Sequence, residues 1–167
     1  SVTGNPSRNQ NGGPFNISRI VTDRGTPAPK LTAISSFNVT VTAVNDAPVI
    51  SSIVNQTIPE STNSRSLTFT LSDVDSALSC ATSVTASSSN TTIIPTANIV
   101  IAGTAPNCTV TVTPAANQNG GPVNISLIVT DSGTPAPNLT AISSFNVTVK
   151  EVNDAPVISA IGNQTIN

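Results

Sequence analysis

The stretch Asn117-Gln-Asn-Gly-Gly-Pro-Val-Asn-Ile-Ser126 decides how this chain is organised, because it occurs twice. Its counterpart is Asn9-Gln-Asn-Gly-Gly-Pro-Phe-Asn-Ile-Ser18, which lies 108 residues earlier. Carrying this offset from residues 9–59 to residues 117–167 leaves nine mismatches in 51 positions. Such near-identity indicates that one structural unit has been duplicated.

The repeat also sets the domain boundaries. We predict that residues 47–154 form one complete unit, that residues 1–46 are the back part of the preceding unit, and that residues 155–167 open the next. The simplest interpretation is a window from a longer tandem array. The alternative is that neighbouring molecules complete each other by strand exchange. End pieces of 46 and 13 residues fall 49 short of the 108-residue unit, so that exchange would be partial.

Period-two alternation of apolar and polar residues, broken by Gly and Pro turns, predicts about seven β-strands in the complete unit. No helical periodicity is visible. A unit of this size and pattern predicts an all-β fold, a two-sheet immunoglobulin-like sandwich. The predicted strands are Pro48–Ile53, Ser66–Ser72, Ser79–Ala86, Asn98–Ala102, Cys108–Thr113, Val123–Thr130 and Ala141–Lys150.

The alternation also predicts which side chains face the core. In Phe145-Asn-Val-Thr-Val149 the two Val residues and Phe145 share one face of the strand. The first copy departs from this pattern at Arg19, which stands where the second copy has Leu127. Because a buried Arg is costly, we expect the core beside Arg19 to be open or differently covered.

Composition excludes several classes of function. Ser, Thr and Asn supply 65 of the 167 residues, and the chain has no His, Met, Trp or Tyr. With no His to activate a serine and no aromatic sugar platform, we predict that the protein is not an enzyme. Charged residues make up 8% and the net charge is −2, so we predict no nucleic-acid partner. No apolar run is long enough to span a bilayer, and we predict no membrane insertion in this segment.

The two cysteines, Cys80 and Cys108, lie 28 residues apart in strand-like surroundings. An even pair in a Ser- and Thr-rich chain suggests one disulfide and an oxidising compartment. The alternative is two separate buried thiols that pack as small apolar groups. A zinc site is disfavoured because there is neither a third Cys nor a His.

The eight acidic residues are clustered in motifs that resemble a known family. The stretches Ile128-Val-Thr-Asp-Ser-Gly-Thr-Pro135 and Phe145-Asn-Val-Thr-Val-Lys-Glu-Val-Asn-Asp-Ala-Pro-Val157 resemble the back half of a cadherin repeat. They are still more similar to the cadherin-like tandem repeats of large microbial surface proteins. Ile58-Pro-Glu60 and Leu71-Ser-Asp-Val-Asp75 extend the resemblance over the complete unit and both partial ones.

The resemblance implies cadherin-like sandwich domains in tandem, with calcium bound where one domain meets the next. Clustered carboxylates, amides and carbonyls suit a hard cation. The inner junction would use Asn45, Asp46, Asp73, Asp75 and Asp131. The next junction would use Glu60, Asn153 and Asp154, with Glu151 as a further oxygen donor, and Asp23 would belong to the preceding junction.

Two departures from the cadherin pattern limit this expectation. The stretch Thr113-Pro-Ala-Ala-Asn-Gln-Asn119 has no acid where cadherins carry a mid-repeat acidic pair. Ala43 also replaces the first linker acid, where the other copy has Glu151. We therefore expect at most one ion per junction. The alternative is that these Asp residues only cap turns and accept backbone hydrogen bonds.

Nine Asn-x-Ser/Thr sequons make N-glycosylation a further hypothesis, in which glycans would keep a weakly charged β surface in solution. Four of these Asn, at positions 16, 38, 124 and 146, lie on predicted outward faces. The nine candidates are Asn16, Asn38, Asn55, Asn90, Asn107, Asn124, Asn138, Asn146 and Asn163.

Together these features predict a structural extracellular or cell-surface protein, a stalk or filament of sandwich domains stiffened by calcium. Its partners would be neighbouring repeats or copies of itself, and covalent glycans. One alternative is an adhesin or carbohydrate-binding module, although the loops are shared between the copies and the Phe residues are predicted to point inward. The other is a filament subunit that polymerises by β-strand exchange.

Overall fold

A computed structural model describes residues 3–7, 9–133 and 135–165. Alternating, β-branched segments form strands throughout, as their composition favours. The described residues contain ten strands and a single 3₁₀ turn at Thr96–Asn98. The strands are β1 (Gly12–Thr22), β2 (Thr32–Val41), β3 (Val49–Ile50), β4 (Gln56–Pro59), β5 (Leu67–Ser72), β6 (Val84–Ser88), β7 (Ile99–Thr104), β8 (Asn107–Val112), β9 (Gly120–Thr130) and β10 (Thr140–Lys150).

Eight of these strands form a sandwich of two four-stranded sheets, which confirms the predicted all-β fold. One sheet has the order β3-β5-β8-β7 and the other has the order β4-β10-β9-β6. All pairings are antiparallel except that of β4 with β10, which is parallel. Within the described part of the chain, the remaining strands, β1 and β2, pair with each other alone, in a long antiparallel hairpin.

The core lies between the two sheets and is built from the predicted inward faces. Phe145, Val147 and Val149 of β10 are at most 2% exposed, and Leu127 of β9 is fully buried. Phe69 and Leu71 of β5 and the alternate Val residues of β8 belong to the same buried cluster. The period-two pattern therefore identified the core face of these strands correctly.

Two strand predictions were wrong in part. The predicted strand Pro48–Ile53 is short, because the chain leaves the first sheet after Ile50 and resumes as β4 in the second sheet. Residues 79–83 of the predicted strand Ser79–Ala86 form a turn instead. In that turn the Ser83 N–H donates to the Ser79 carbonyl, and the Ser79 N–H donates to Ser83 Oγ. Local hydrogen bonds of this kind compete with strand pairing.

The predicted disulfide is present. Cys80 and Cys108 are bonded, with their Cα atoms 5.7 Å apart, and both side chains are 1% exposed. The bond links the turn before β6 to strand β8, and so ties the loop between the two sheets to the core.

The β1–β2 hairpin closely repeats the sequence of β9–β10, but among the described residues no second sheet packs against it. Its apolar side chains are exposed: Phe15 by 52%, Phe37 by 45% and Val39 by 37%. Arg19 is exposed as well, in agreement with the expectation that the core beside it is open. The charged head of Arg19 therefore needs no buried partner.

Candidate functional site

The linker between the hairpin and the sandwich reaches the loop that connects β9 to β10. Asn45 Nδ2 donates to Asp131 Oδ2 at 2.8 Å and to the Pro137 carbonyl at 2.9 Å. Asp131 is 4% exposed and Asn45 is half-buried. A residue of the linker is thus bonded directly to a buried acid of the repeat that follows it.

The Asp73-Val-Asp75 loop reaches the same linker from strand β5. Asp75 Oδ2 accepts a hydrogen bond from the Asp46 N–H at 3.0 Å. Asp73 Oδ1 accepts from the N–H groups of Asp75 and Ser76, each at 3.0 Å, which fixes a tight turn. The structure therefore brings together all five residues predicted for the inner junction, and we call them the junction cluster.

The Asp131 carboxylate also shapes its own loop. Asp131 Oδ1 accepts from the N–H groups of Gly133 and Leu139, at 2.8 and 2.9 Å. Asp23, its counterpart in the first copy, makes the same pair of bonds with Gly25 and Leu31. Both acids therefore cap their own loops. Asp131 differs in that it also accepts a hydrogen bond from Asn45 of the linker.

Two buried oxygen atoms of the junction cluster, Asn45 Oδ1 and Asp73 Oδ2, have no hydrogen-bond partner among the residues that the structure describes. The orientation of the Asn45 amide is fixed, because both groups near its nitrogen are acceptors and only the NH₂ end can face them. Its oxygen is therefore left facing away from them. Buried polar atoms are rarely left unpaired, so these two oxygens are available as acceptors.

The two carboxylates of the Asp73-Val-Asp75 loop are electrostatically coupled. Burial acts to raise the pKa of Asp73, but hydrogen bonds from the Asp75 and Ser76 backbone and from the Asp75 side chain hold it below the ordinary value of 3.8. The Asp46 N–H acts to lower the pKa of Asp75, but the Asp73 side chain and the charges of Asp73 and Asp46 raise it above 3.8. Like charges held this close disfavour double ionisation, and a bound cation would relieve that repulsion.

The acids alone do not form a metal site. Within residues 3–7, 9–133 and 135–165, no group of three or more Asp, Glu or Cys side chains is placed to hold an ion. Any ion at the junction would therefore need neutral oxygens as well, such as Asn45 Oδ1 or main-chain carbonyls. Calcium accepts such mixed oxygen sets.

The residues predicted for the other two junctions are not gathered into clusters. Glu60 is 5% exposed, and its Oε1 accepts from the Val152 N–H at 2.6 Å, so it contacts the chain that leaves the sandwich. Glu151, Asn153 and Asp154 follow that contact and are exposed. Asp23 is exposed at the end of β1.

Three contributors to the junction were not predicted from the sequence. The Pro137 carbonyl accepts from Asn45, and the hydroxyls of Ser76 and Ser132 are 2.9 Å apart, joining the two loops of the cluster. The only sequence signal for them is their position within the same two acidic loops. A carbonyl oxygen or a hydroxyl in a Ser-rich chain carries no signal of its own.

The sequon asparagines lie at the surface. Asn124 and Asn146 are half-buried and the other seven are exposed. Asn16 and Asn38 stand directly opposite each other on β1 and β2 and are hydrogen-bonded at 3.1 Å. Asn124 and Asn146 form the equivalent pair on β9 and β10 at 3.2 Å.

In the part of the chain that the structure describes, no helix is long and apolar enough to cross a membrane.

Comparison with known proteins identifies the fold. No protein-family model matches the chain, and no curated protein matches it. Among solved structures, extracellular cadherin domains 3–6 of protocadherin gamma B2 are 20% identical, with a TM-score of 0.50, and cover 81% of this chain and 32% of that one. Domains 1–5 of the same protocadherin are 21% identical, with a TM-score of 0.50, and cover 84% of this chain and 27% of that one.

A fragment of mouse cadherin-23 is 18% identical, with a TM-score of 0.46, and covers 83% of this chain and 42% of that one. The chain spans less than a third of the length of each protocadherin structure. At these identities the two protocadherin matches show the fold alone, which is a cadherin-like β-sandwich. Both matched structures are extracellular cadherin domains.

Proposed function

We propose that this chain is a structural segment of an extracellular tandem-repeat protein, in which sandwich repeats in series form a stalk or filament. The observation that supports this proposal most directly is the junction cluster. There the linker residues Asn45 and Asp46 are hydrogen-bonded to two separate loops of the following repeat. A linker held at two points bends less than a free one. In this proposal residues 1–46, 47–154 and 155–167 belong to three successive repeats.

The proposal includes one calcium ion at the inner junction. The donor set is of the kind that calcium takes, because Asn45 and Asp73 each keep one unpaired buried oxygen. The other polar atom of each side chain is hydrogen-bonded, to the Asp131 carboxylate and to the Asp75 N–H respectively. Asp46 supplies a further carboxylate on the linker. When bound, the ion would cross-link the linker to both loops and offset the repulsion between the paired acids.

The same chemistry extends the proposal to the outer junctions. Glu60 already contacts the backbone of the departing chain at Val152. Asn153 and Asp154, with Glu151, would complete an oxygen set there with the loops of a following repeat. Asp23 would serve the junction that precedes the hairpin.

Thermal unfolding with calcium and with a chelator tests the proposal on the 167-residue chain. At a calcium concentration 100 times the dissociation constant, binding would add about 2.7 kcal/mol, or roughly 10 °C in the midpoint. D73N should abolish this shift, because it removes one unpaired carboxylate oxygen. It leaves Oδ1 to accept from the Asp75 and Ser76 N–H groups, so the turn should persist.

D23N is the matched control, since Asp23 caps the same kind of turn outside the junction cluster. It should keep the full calcium shift. Small-angle scattering should also show a longer maximum dimension with calcium than with chelator. Identical midpoints and dimensions in both conditions would contradict a structural role for calcium.

We further propose that some of the nine sequon asparagines carry N-linked glycans. Support comes from their surface positions. The hydrogen-bonded pairs Asn16–Asn38 and Asn124–Asn146 would accept at most one glycan each, because the two side chains occupy adjacent space. Intact-mass measurement of the native material tests this idea, and a mass equal to the bare polypeptide would remove it.

A further inference from the structure

The segment that enters the complete repeat and the strand that leaves it lie side by side and run in the same direction. β4 pairs in parallel with β10, and Gln56 stands opposite Val147. The other pairings described in the sandwich are antiparallel. The linker at Asp46 enters before β4, and the linker at Asp154 leaves after β10. A pull on the two linkers therefore acts on this pair of strands from opposite ends.

Side-chain contacts extend this pairing before the ladder begins. Ser143 Oγ donates to the Ser51 carbonyl at 3.0 Å. The Asn146 N–H donates to Asn55 Oδ1 at 2.8 Å. Both bonds join the entering segment to the leaving strand, so the contact between them starts well ahead of the first ladder pair.

The contact also continues after the ladder ends. The Glu60 N–H donates to the Lys150 carbonyl at 2.8 Å. Glu60 Oε1 in turn accepts from the Val152 N–H at 2.6 Å. Residues 51–60 are thus joined to residues 143–152 before, within and after the β4–β10 ladder, and we call these two segments the clamp.

The clamp is anchored in the hydrophobic core as well. Ile53 and Ile58 of the entering segment are 8% and 6% exposed, and Val147 and Val149 of the leaving strand are at most 2% exposed. All four belong to the core cluster. A slip of one residue along the strand would turn such side chains to the opposite face. Packing therefore resists the same sliding motion that the hydrogen bonds resist.

Parallel strands that are pulled from opposite ends slide along each other and do not peel apart. The hydrogen bonds between them are stretched together, because the whole ladder must shift before any one of them is released. In a hairpin pulled open from its free end, the bonds break one after another and each carries the force alone. Forced unfolding is governed by the rate of crossing the first barrier, which in this geometry is rupture of the clamp.

We propose that the clamp bears tension applied through the linkers and sets the force at which the repeat unfolds. This inference rests on the proposed function, because tension passes through the repeat only where repeats are joined in series. The clamp and the calcium site have different roles. Calcium would stiffen the junction between two repeats, whereas the clamp keeps one repeat folded while it is under tension.

The disulfide lies outside the clamp and limits the length that rupture releases. Cys80 and Cys108 enclose β6, the 3₁₀ turn and β7, and neither segment of the clamp lies between them. The crosslink therefore carries no tension while the clamp is intact. After rupture it holds back the 28-residue span, which at about 3.6 Å per residue would otherwise add about 100 Å.

Unfolding at constant force tests the proposal on the 167-residue chain, held by handles at its two ends and kept in chelator. The complete repeat should resist extension and then unfold in one abrupt step. N55A removes a hydrogen bond that is stretched within the clamp. It should therefore raise the unfolding rate at constant force about fivefold.

N90A is the matched control. Asn90 is exposed, as Asn55 is, and its Oδ1 also accepts from backbone N–H groups, those of Thr92 and Ile93. It lies within the span that the disulfide encloses. Both variants should lower stability in urea to a similar extent. Only N55A should unfold faster under force, because the contacts of Asn90 are still intact when the clamp breaks.

Replacing both Cys80 and Cys108 by Ala should lengthen the unfolding step by about 100 Å. If that variant fails to fold, the comparison of N55A with N90A decides on its own. The proposal would be overturned by a repeat that extends gradually at low force, by equal effects of N55A and N90A on the rate under force, or by a step that loss of the disulfide leaves unchanged. Because the measurement is made in chelator, these results leave the calcium-dependent shift of the unfolding midpoint untouched, so the two proposals can fail separately.

Discussion

Replacing Phe145 by Ala tests how much the second sheet contributes to the stability of the strand it covers. Phe145 is 2% exposed, whereas Phe37 occupies the same place in an identical ten-residue strand and is 45% exposed. The transfer of a buried Phe side chain is worth about 1.5–3 kcal/mol. The cavity left behind raises the total loss to about 3–5 kcal/mol. At about 4 °C per kcal/mol, F145A should lower the unfolding midpoint by roughly 12–20 °C.

F37A is the internal control and should change the stability of the complete repeat by less than about 0.5 kcal/mol, as is usual for surface substitutions. Far-UV circular dichroism at low protein concentration is the suitable assay, because the chain has no Trp or Tyr for intrinsic fluorescence. A loss below about 1 kcal/mol in F145A, or an equal loss in both variants, would refute the assignment of the core to the sandwich alone.

Two further predictions concern the complete repeat. Replacing both Cys80 and Cys108 by Ala removes a crosslink that spans 28 residues. The chain-entropy relation then predicts that the free energy of unfolding, measured in urea, falls by about 3.5 kcal/mol. A change within error would show that the crosslink does not restrict the unfolded chain. S64A removes the hydroxyl of a residue that is 2% exposed, which accepts a hydrogen bond from the Val112 N–H at 2.9 Å. This variant should lower the free energy of unfolding by about 1–3 kcal/mol. Ser66 is exposed, so the control Ser66→Ala should be nearly neutral, and equal losses in both variants would argue against the hydrogen bond.

The sequence predicted the strands best where alternation continued for a whole strand. Apolar residues alternate from Val123 to Val129 in β9 and from Phe145 to Val149 in β10, and this alternation identified the buried face of each strand. It predicted them worst where local hydrogen bonds or a change of sheet intervened, as at Ser79–Ser83 and between Ile50 and Gln56. Periodicity records which side a residue faces but not which sheet its strand joins.

The junction cluster was likewise predicted only in part from the sequence. The acidic motifs, through their family resemblance, predicted that Asp73, Asp75 and Asp131 meet the linker, and Asp75 and Asp131 are hydrogen-bonded to it. Calcium binding there stays a prediction. The sequence did not indicate that the Asn45 amide would be turned by two acceptors so that its oxygen is unpaired. That orientation depends on the Pro137 carbonyl, a main-chain group with no signature in the residue type.

The cross-strand Asn pairs have a consequence for how an array of near-identical repeats avoids misfolding. Asn124 opposite Asn146 fixes the hairpin register, because a slip of one residue would place an amide against an apolar neighbour and turn the apolar face to solvent. Asn16 and Asn38 offer the same match, however, so the pairs cannot tell one copy from another. Discrimination must come from chain connectivity. The loop at residues 131–139, closed by Asp131, joins β9 to β10, whereas pairing of β9 with β2 would join Asn124 to Asn38, 86 residues away, and local closure is faster. Correct assembly of the repeats would then be under kinetic control.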